Sequence, residues 1–444
     1  MRKVFLCQLL VLTVSILCGY AVVLTVYPGL YEKGFGAVTE NGGTAALFLA
    51  AFALYFAAIH IWLGKPQAGN AKTPRESNIE LCRVVCMLGI IAHHLVVHGG
   101  ILGVETMTPN KTLSYLALPW GKIGFDCFVA VSCWFLADRE FQAGRFWKIW
   151  LTVLFYSVLF AVVSFLMGTP MKAGNWFSVC LPIAGNSHGF AASYLAFYLL
   201  LPFLNRMTRG LTKKQARMLL WLFLYLETGT QIIGYFTNYY QKMPSEIFVF
   251  IVCYLIALNL KRWPVGIMGK PKACLFLSAS VWFVIGTANY WFALHPENKA
   301  VRFLVSTMGD ESSVSNIVAG FALFFFFAHV KVKPLPVIRR LAAGTFGILL
   351  IHDHNFFRYP LWEKIVKCRL WYDRKGFVIL AAVFVVWVFV SAFAIDAVRN
   401  TFFEKYVLNS RIFRNVCGRH DGILAGETRV TEADGEKPQS RDGR

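Results

Sequence analysis

Arg83, His93, His94 and His98 stand within one apolar stretch, "RVVCMLGIIAHHLVVHGG" (residues 83–100). Eleven residues separate Arg83 from His94, which on a helix is about 20° beyond three full turns and a rise of about 16 Å. Both side chains therefore project from nearly one side. Glu80 lies three residues before Arg83 and His98 four after His94, so both join that stripe, while His93 points about a quarter-turn away. Histidine exchanges protons near neutrality. In a cavity, His94 suits removal of a hydroxyl proton as that oxygen attacks an acyl group. Arginine suits a planar, bidentate grip on phosphate. An acyl thioester carrying phosphates uses both residues. A proton-coupled transporter or flippase uses the same polar rail, and residue chemistry leaves the two readings open. A packing role is the third: Glu80 and Arg83 as an interfacial pair with snorkelling side chains, and a histidine bonded to a neighbouring helix. It fits His94 less well, because ionisable residues deep in a membrane usually face a cavity or pathway.

The chain that positions these residues has 444 residues, 57% hydrophobic and 15% charged, too apolar for a soluble globule. Twelve apolar runs, near 4–27, 44–64, 79–98, 117–137, 146–168, 190–204, 216–236, 246–260, 273–294, 315–332, 341–357 and 377–397, have the character of membrane spans; those at 190–204, 246–260 and 341–357 are short. Backbone groups in hydrocarbon must bond within their own segment, so each run is read as a helix. The expected fold is an all-α polytopic membrane protein of about 12 transmembrane helices. If residue 83 sits at the cytoplasmic surface, His94 lies near mid-membrane.

The formal charge of +20 does not signal nucleic acid. Basic residues crowd alternate connections, at 65–83, 139–148, 206–217, 261–272 and 331–340, and the tail after 398, the pattern of cytoplasmic loops. Both termini are accordingly expected in the cytoplasm of a plasma-membrane protein. The loop at 358–375 breaks the pattern, with Arg358, Lys364, Lys367, Arg369, Arg374 and Lys375 on the outer side. Either a helix is miscounted or that loop meets anionic lipid or an anionic acceptor.

The eleven cysteines are scattered without metal-like spacing. Cys180 and Cys368 both fall in outer loops, where a disulfide is conceivable. His93 and His94 are adjacent with no cysteine or carboxylate to complete a ligand set, so no metal site is expected. "NKT" at 110–112 is a glycosylation sequon in an outer loop. The N-terminus reads as an uncleaved first span, because its apolar stretch outruns a signal peptide. Three regions follow: residues 1–70, with two extra N-terminal helices and a linker; 71–400, the main membrane domain; and 401–444, a polar cytoplasmic tail expected to be disordered from about 408. No internal repeat is visible, unlike many transporters.

The main domain resembles the acyltransferase-3 family of integral membrane O-acyltransferases. Its mark is an arginine, ten residues and a histidine, supplied here by Arg83 and His94 in "RVVCMLGIIAHH". "GKIGFDCFVAVSCWFL" (121–136) resembles the family's second-helix motif and brings Asp126 and Ser132. "GRFWKIW" (144–150) resembles the basic entrance to the third helix, with Arg145 and Lys148. "YLAFYLLLPFLN" (194–205) and "GTFGILLIHDHNFFR" (344–358) resemble later signatures, the latter with His352 and Asp353. Departures are Cys133 for glycine, Lys148 for a second arginine and Gly189 for an aromatic residue. The resemblance implies a ten-helix bundle and an acetyl-CoA or other acyl-CoA donor on the cytoplasmic side. It implies an outward-facing or lipid-linked carbohydrate or glycolipid as acceptor. It makes His94 the catalytic base and Arg83 its partner, with Arg83, Arg145 and Lys148 neutralising CoA phosphates. Glu80, His93, His98, Asp126, Ser132, His352 and Asp353 are the supporting or substrate-binding candidates.

Overall fold

The computed structural model describes residues 2–64, 77–168, 170–186, 188–237 and 246–425. It is all-helical among those residues, with sixteen α-helices. These are α1 (Arg2–Val26), α2 (Gly42–Gly64), α3 (Ser77–His98), α4 (Pro109–Leu136), α5 (Ala143–Leu166), α6 (Ala173–Val179), α7 (Gly189–Thr208) and α8 (Lys213–Leu224). They continue with α9 (Thr230–Thr237), α10 (Ile247–Arg262), α11 (Pro271–Leu294), α12 (Lys299–Met308), α13 (Val314–His329), α14 (Pro336–His352), α15 (Phe377–Phe403) and α16 (Arg411–Ala425). The expected domain boundary in the linker near residue 70 lies outside the described residues.

Eight helical segments are long and apolar enough to cross a membrane: Gln8–Val26, Gly42–Trp62, Ser77–His98, Pro109–Leu136, Ala143–Leu166, Gly189–Thr208, Pro271–Leu294 and Phe377–Leu408. The protein is an integral membrane protein. The remaining apolar runs form shorter helices, α10 and α13 of 16 residues and α14 of 17. The run at 216–236 is broken by a wide turn at Tyr225–Gly229, which carries the buried Glu227. Such π-type bulges interrupt helices where an extra residue must be fitted.

Local sequence sets the helix limits. Thr108 accepts a hydrogen bond from the Lys111 amide at 3.3 Å, and Pro109 opens α4, where a missing N–H costs nothing. Ser313 caps α13 through the Asn316 amide at 3.4 Å. The tail differs from expectation: residues 411–425 are helical. Arg411–Ala425 has an apolar side one turn deep at Phe413, Val416 and Cys417, and Cys417 is buried where α16 packs on α5. Residues 426–444 lie outside the described residues.

The helix α3 sits against α4, α13, α14 and α15. One end of the bundle, beside Arg83, is knitted by hydrogen bonds from Asn78 to the Ala328 carbonyl, Asn205 to the Arg139 carbonyl and Arg262 to the Thr208 carbonyl. The other end, beside His94 and His98, is closed by residues 99–108, 180–186 and 353–376. At that second end the anomalous basic loop finds its explanation. Lys367 donates to the Thr25 carbonyl at 3.0 Å, at the close of α1, and Arg369 to the Gly100 carbonyl at 3.3 Å, just past α3. Arg374 pairs with Glu32, and Arg358 lies 3.5 Å from Asp353. Four of the six cations are thus spent inside the protein, two of them on carbonyls near helix C-termini, where positive charge is stabilising.

Candidate active site

The helix α3 carries the two ends of the sequence pattern to different places. Arg83 lies six residues inside α3, with its guanidinium 5.7 Å from the Phe128 ring. His94 is four residues from the last, His98, so it stands about 6 Å from that end of the helix rather than midway. The reason is that α3 begins at Ser77, well before Arg83. Between them Met87 and Ile91 are fully buried and Ile90 nearly so. The expected polar rail is therefore interrupted by a buried apolar stretch about one turn long.

At the His94 end, α3 meets the C-terminus of α14. His352 Nδ1 lies 2.6 Å from the Ile348 carbonyl, and a carbonyl only accepts, so that nitrogen carries the proton. His352 Nε2 is then an acceptor, and His94 Nδ1 donates to it at 3.1 Å. The chain leaves His94 Nε2 with its lone pair free, 3.7 Å from Asp353 Oδ1. A base oriented by a second group that fixes its tautomer is the arrangement proton abstraction requires. His94 is 14% exposed and Asp353 17%, so neither side chain is wholly enclosed.

Asp353 gathers the cluster. His98 Nε2 is 3.7 Å from Oδ1, and His188 Nε2 is 3.9 Å from Oδ2 while donating to the Leu349 carbonyl at 3.2 Å. Burial opposes the charge on Asp353, which lies just past α14. The Arg358 guanidinium, 3.5 Å from Asp353 Oδ1, is the positive partner that favours it. The His98 ring stands edge-on to Tyr359 at 5.3 Å.

The other expected residues divide. His93 turns away, donates to the Leu118 carbonyl at 2.8 Å and packs where α4 has Gly121; a Cβ there would come within 2.2 Å of the His93 Cβ. Its role is to seat α3 on α4. Ser132 bonds back to the Phe128 carbonyl at 3.0 Å and is not brought to His94. Asp126 is fully buried against Gly320 of α13, within electrostatic reach of Lys122, Glu311 and Asp310, and does not orient a histidine. Lys122 pairs with Glu311 across 189 residues of sequence. Glu80 is buried one turn ahead of Arg83. Cys180 and Cys368 are both free, so no disulfide joins them.

At the Arg83 end, Arg145 donates to Tyr194 at 3.4 Å and lies 5.7 Å from the Tyr198 ring. It lines a cavity of about 240 Å³ with Leu136, Arg139, Glu140, Gln142 and Tyr198. Lys148 is exposed one turn further along α5. Sequence reasoning missed Arg139 in this role, and His188 and Arg358 in the other; His188 had only its place next to a helix start to mark it.

Among the described residues, two groups of side chains bring three ligand atoms close enough together to hold a metal ion. Ligand atoms of His94, His98 and Asp353 lie within 4.8 Å of one another, as do those of Cys82, Cys86 and Cys127. The expectation that no carboxylate or cysteine set exists is thereby corrected, because folding joins residues 45 to about 260 positions apart. A family model described as an acyltransferase domain matches residues 76–397. No curated protein and no solved structure matches the chain.

Proposed function

The chain belongs to the acyltransferase-3 family, and on that premise we propose that it transfers an acetyl or other short acyl group from acyl-CoA to a hydroxyl of an envelope carbohydrate or glycolipid precursor. It is a membrane acyltransferase. The observation that carries the finer reading is the chain Ile348 carbonyl, His352, His94, which leaves His94 Nε2 unprotonated beside Asp353.

In the reaction, His94 Nε2 takes the proton of the acceptor hydroxyl as its oxygen attacks the thioester carbonyl. The Asp353 carboxylate stabilises the imidazolium so formed. Collapse of the tetrahedral intermediate breaks the carbon–sulfur bond, and His94 returns the proton to the departing thiolate. The products are the ester and free CoA, with no net proton released. Arg83 acts from the far end of α3, and Arg139 and Arg145 with Lys148 offer a phosphate-binding mouth of the right charge. The basic loops at that end argue for its facing the cytoplasm, with the termini on the same side. On this reading all twelve apolar runs cross the membrane, ten of them forming the family's bundle, with α1 and α2 packed outside it against α15. The plug of Met87, Ile90 and Ile91 separates donor and acceptor ends at rest and must part for the acyl group to reach His94.

Membranes containing the protein are expected to transfer label from acetyl-CoA to carbohydrate, and those with His94→Ala to lose that transfer. Equal transfer by the variant would refute the catalytic assignment.

A further inference from the structure

Arg83 is flanked by a second cluster that the reaction does not use. Cys82 and Cys86 stand one turn apart on α3, and Cys127 faces them from α4. Cys82 Sγ lies 4.0 Å from Cys86 Sγ and 3.4 Å from Cys127 Sγ, and the three sulfurs are within 4.8 Å of one another. A three-coordinate ion with metal–sulfur bonds of about 2.3 Å sits at the centre of a sulfur triangle about 4 Å on a side. The observed triangle has that size, so the ion enters with sub-ångström movements of side chains.

The ligand set narrows the ion. Three sulfurs without a nitrogen or oxygen donor select soft metals. Zinc takes four ligands, and in an open site water supplies the fourth. Here the cysteines are at most 1% exposed, which leaves a water no place. Three-coordination by thiolate sulfur in a dry pocket suits copper(I). We propose that Cys82, Cys86 and Cys127 form a binding site for one copper(I) ion.

All three thiols lose their protons to water on binding, giving a copper(I) tris-thiolate of net charge −2, which the adjacent Arg83 guanidinium offsets in part; copper keeps its oxidation state. A buried negative charge needs a partner. The Arg83 guanidinium, next in sequence to Cys82, lies within electrostatic reach of it and beside the Phe128 ring that follows Cys127. Copper would thus clamp α3 to α4 at the arginine end and draw on the charge of Arg83.

The test is copper(I) titration of the full-length protein, reduced and purified in detergent, against a chromophoric copper(I) chelator. The wild type is expected to hold one copper per chain, Cys127→Ala to lose it, and Cys253→Ala, a buried cysteine elsewhere, to keep it. No uptake by the wild type, or equal uptake by Cys127→Ala, overturns the proposal. Should Cys127→Ala not fold, X-ray absorption at the copper edge of the wild type decides. A single shell of three sulfurs supports the site, and nitrogen or oxygen neighbours move the ion to His94, His98 and Asp353 and overturn it.

Discussion

His94 donates to His352 at 3.1 Å while His352 donates to the Ile348 carbonyl at 2.6 Å, so one backbone oxygen dictates the tautomer of a residue 254 positions away. Replacing His352 with alanine frees His94 to hold its proton on either nitrogen. The rate then falls because a fraction of His94 presents N–H to the acceptor. General-base contributions run to about 10²–10⁴-fold, and loss of orientation should cost part of that, about 10²-fold in kcat with KM little changed. Initial rates at saturating and limiting acetyl-CoA check the split. A change in KM alone would place His352 in substrate binding.

Asp353 faces His94, His98, His188 and Arg358 at once. Asp353→Asn keeps the shape and removes the charge that stabilises the imidazolium. Transfer is expected to slow by about 10²-fold or more, as for other bases stripped of an anionic partner. Unfolding in detergent should change much less, because Arg358 retains solvent and Asn355 as partners. Parallel rate and melting measurements separate the two. An active Asp353→Asn protein would assign the carboxylate to packing.

The basic loop at 358–375 makes a different kind of prediction. With Arg369 on the Gly100 carbonyl and Lys367 on the Thr25 carbonyl, its charge holds helix ends rather than lipid. Arg369→Ala should therefore lower the melting temperature by an amount matching about 1 kcal/mol. Activity of the wild type should be the same in vesicles with and without anionic lipid. A strong lipid dependence lost in the variant would restore the lipid-facing reading.

The apolar runs made the helices legible in advance, because hydrocarbon leaves the backbone no other solution. His94 was legible for the same reason: a titratable group in an apolar run stands out. His98, His352 and Asp353 were legible too, from helix spacing and from the polar patch closing "GTFGILLIHDHN", but His188 and Arg358 were not. His188 sits alone between two helices, and nothing local ties it to Asp353, 165 residues on. The tautomer chain depends on which face of α14 meets α3, a matter of packing between distant segments. For Asp126 the sequence left a histidine, a salt bridge and solvent open as partners; its position on α4 turns it toward α13 and the Lys122–Glu311 pair. Likewise Arg83 and His94 share a helical face as their spacing dictates, but the sequence gives no sign that neighbouring helices fill the interval over Met87 and Ile91.

Helices α5, α14 and α15 share a second buried network, which can be probed without substituting a histidine. Asp396 accepts from Arg399 Nη2 at 2.8 Å and from the Tyr156 hydroxyl at 2.8 Å, and Arg399 reaches Thr152 at 3.3 Å. α14 passes over this pair at Gly347, where a Cβ would come within 2.0 Å of the Asp396 carboxyl carbon. Gly347→Ala must therefore push α14 from α15 or displace the carboxylate from Arg399. A buried pair broken on one side costs about 3–5 kcal/mol. The expected outcome is a protein that is poorly stable in detergent at ordinary temperature. Asp396→Ala in the same background should recover part of the loss by removing the clash, although it leaves Arg399 with Thr152 and the Tyr156 and Phe403 rings. Because α14 also carries His352, activity should follow stability in both variants. A fully stable Gly347→Ala protein would mean that α14 does not approach α15 as closely as described here.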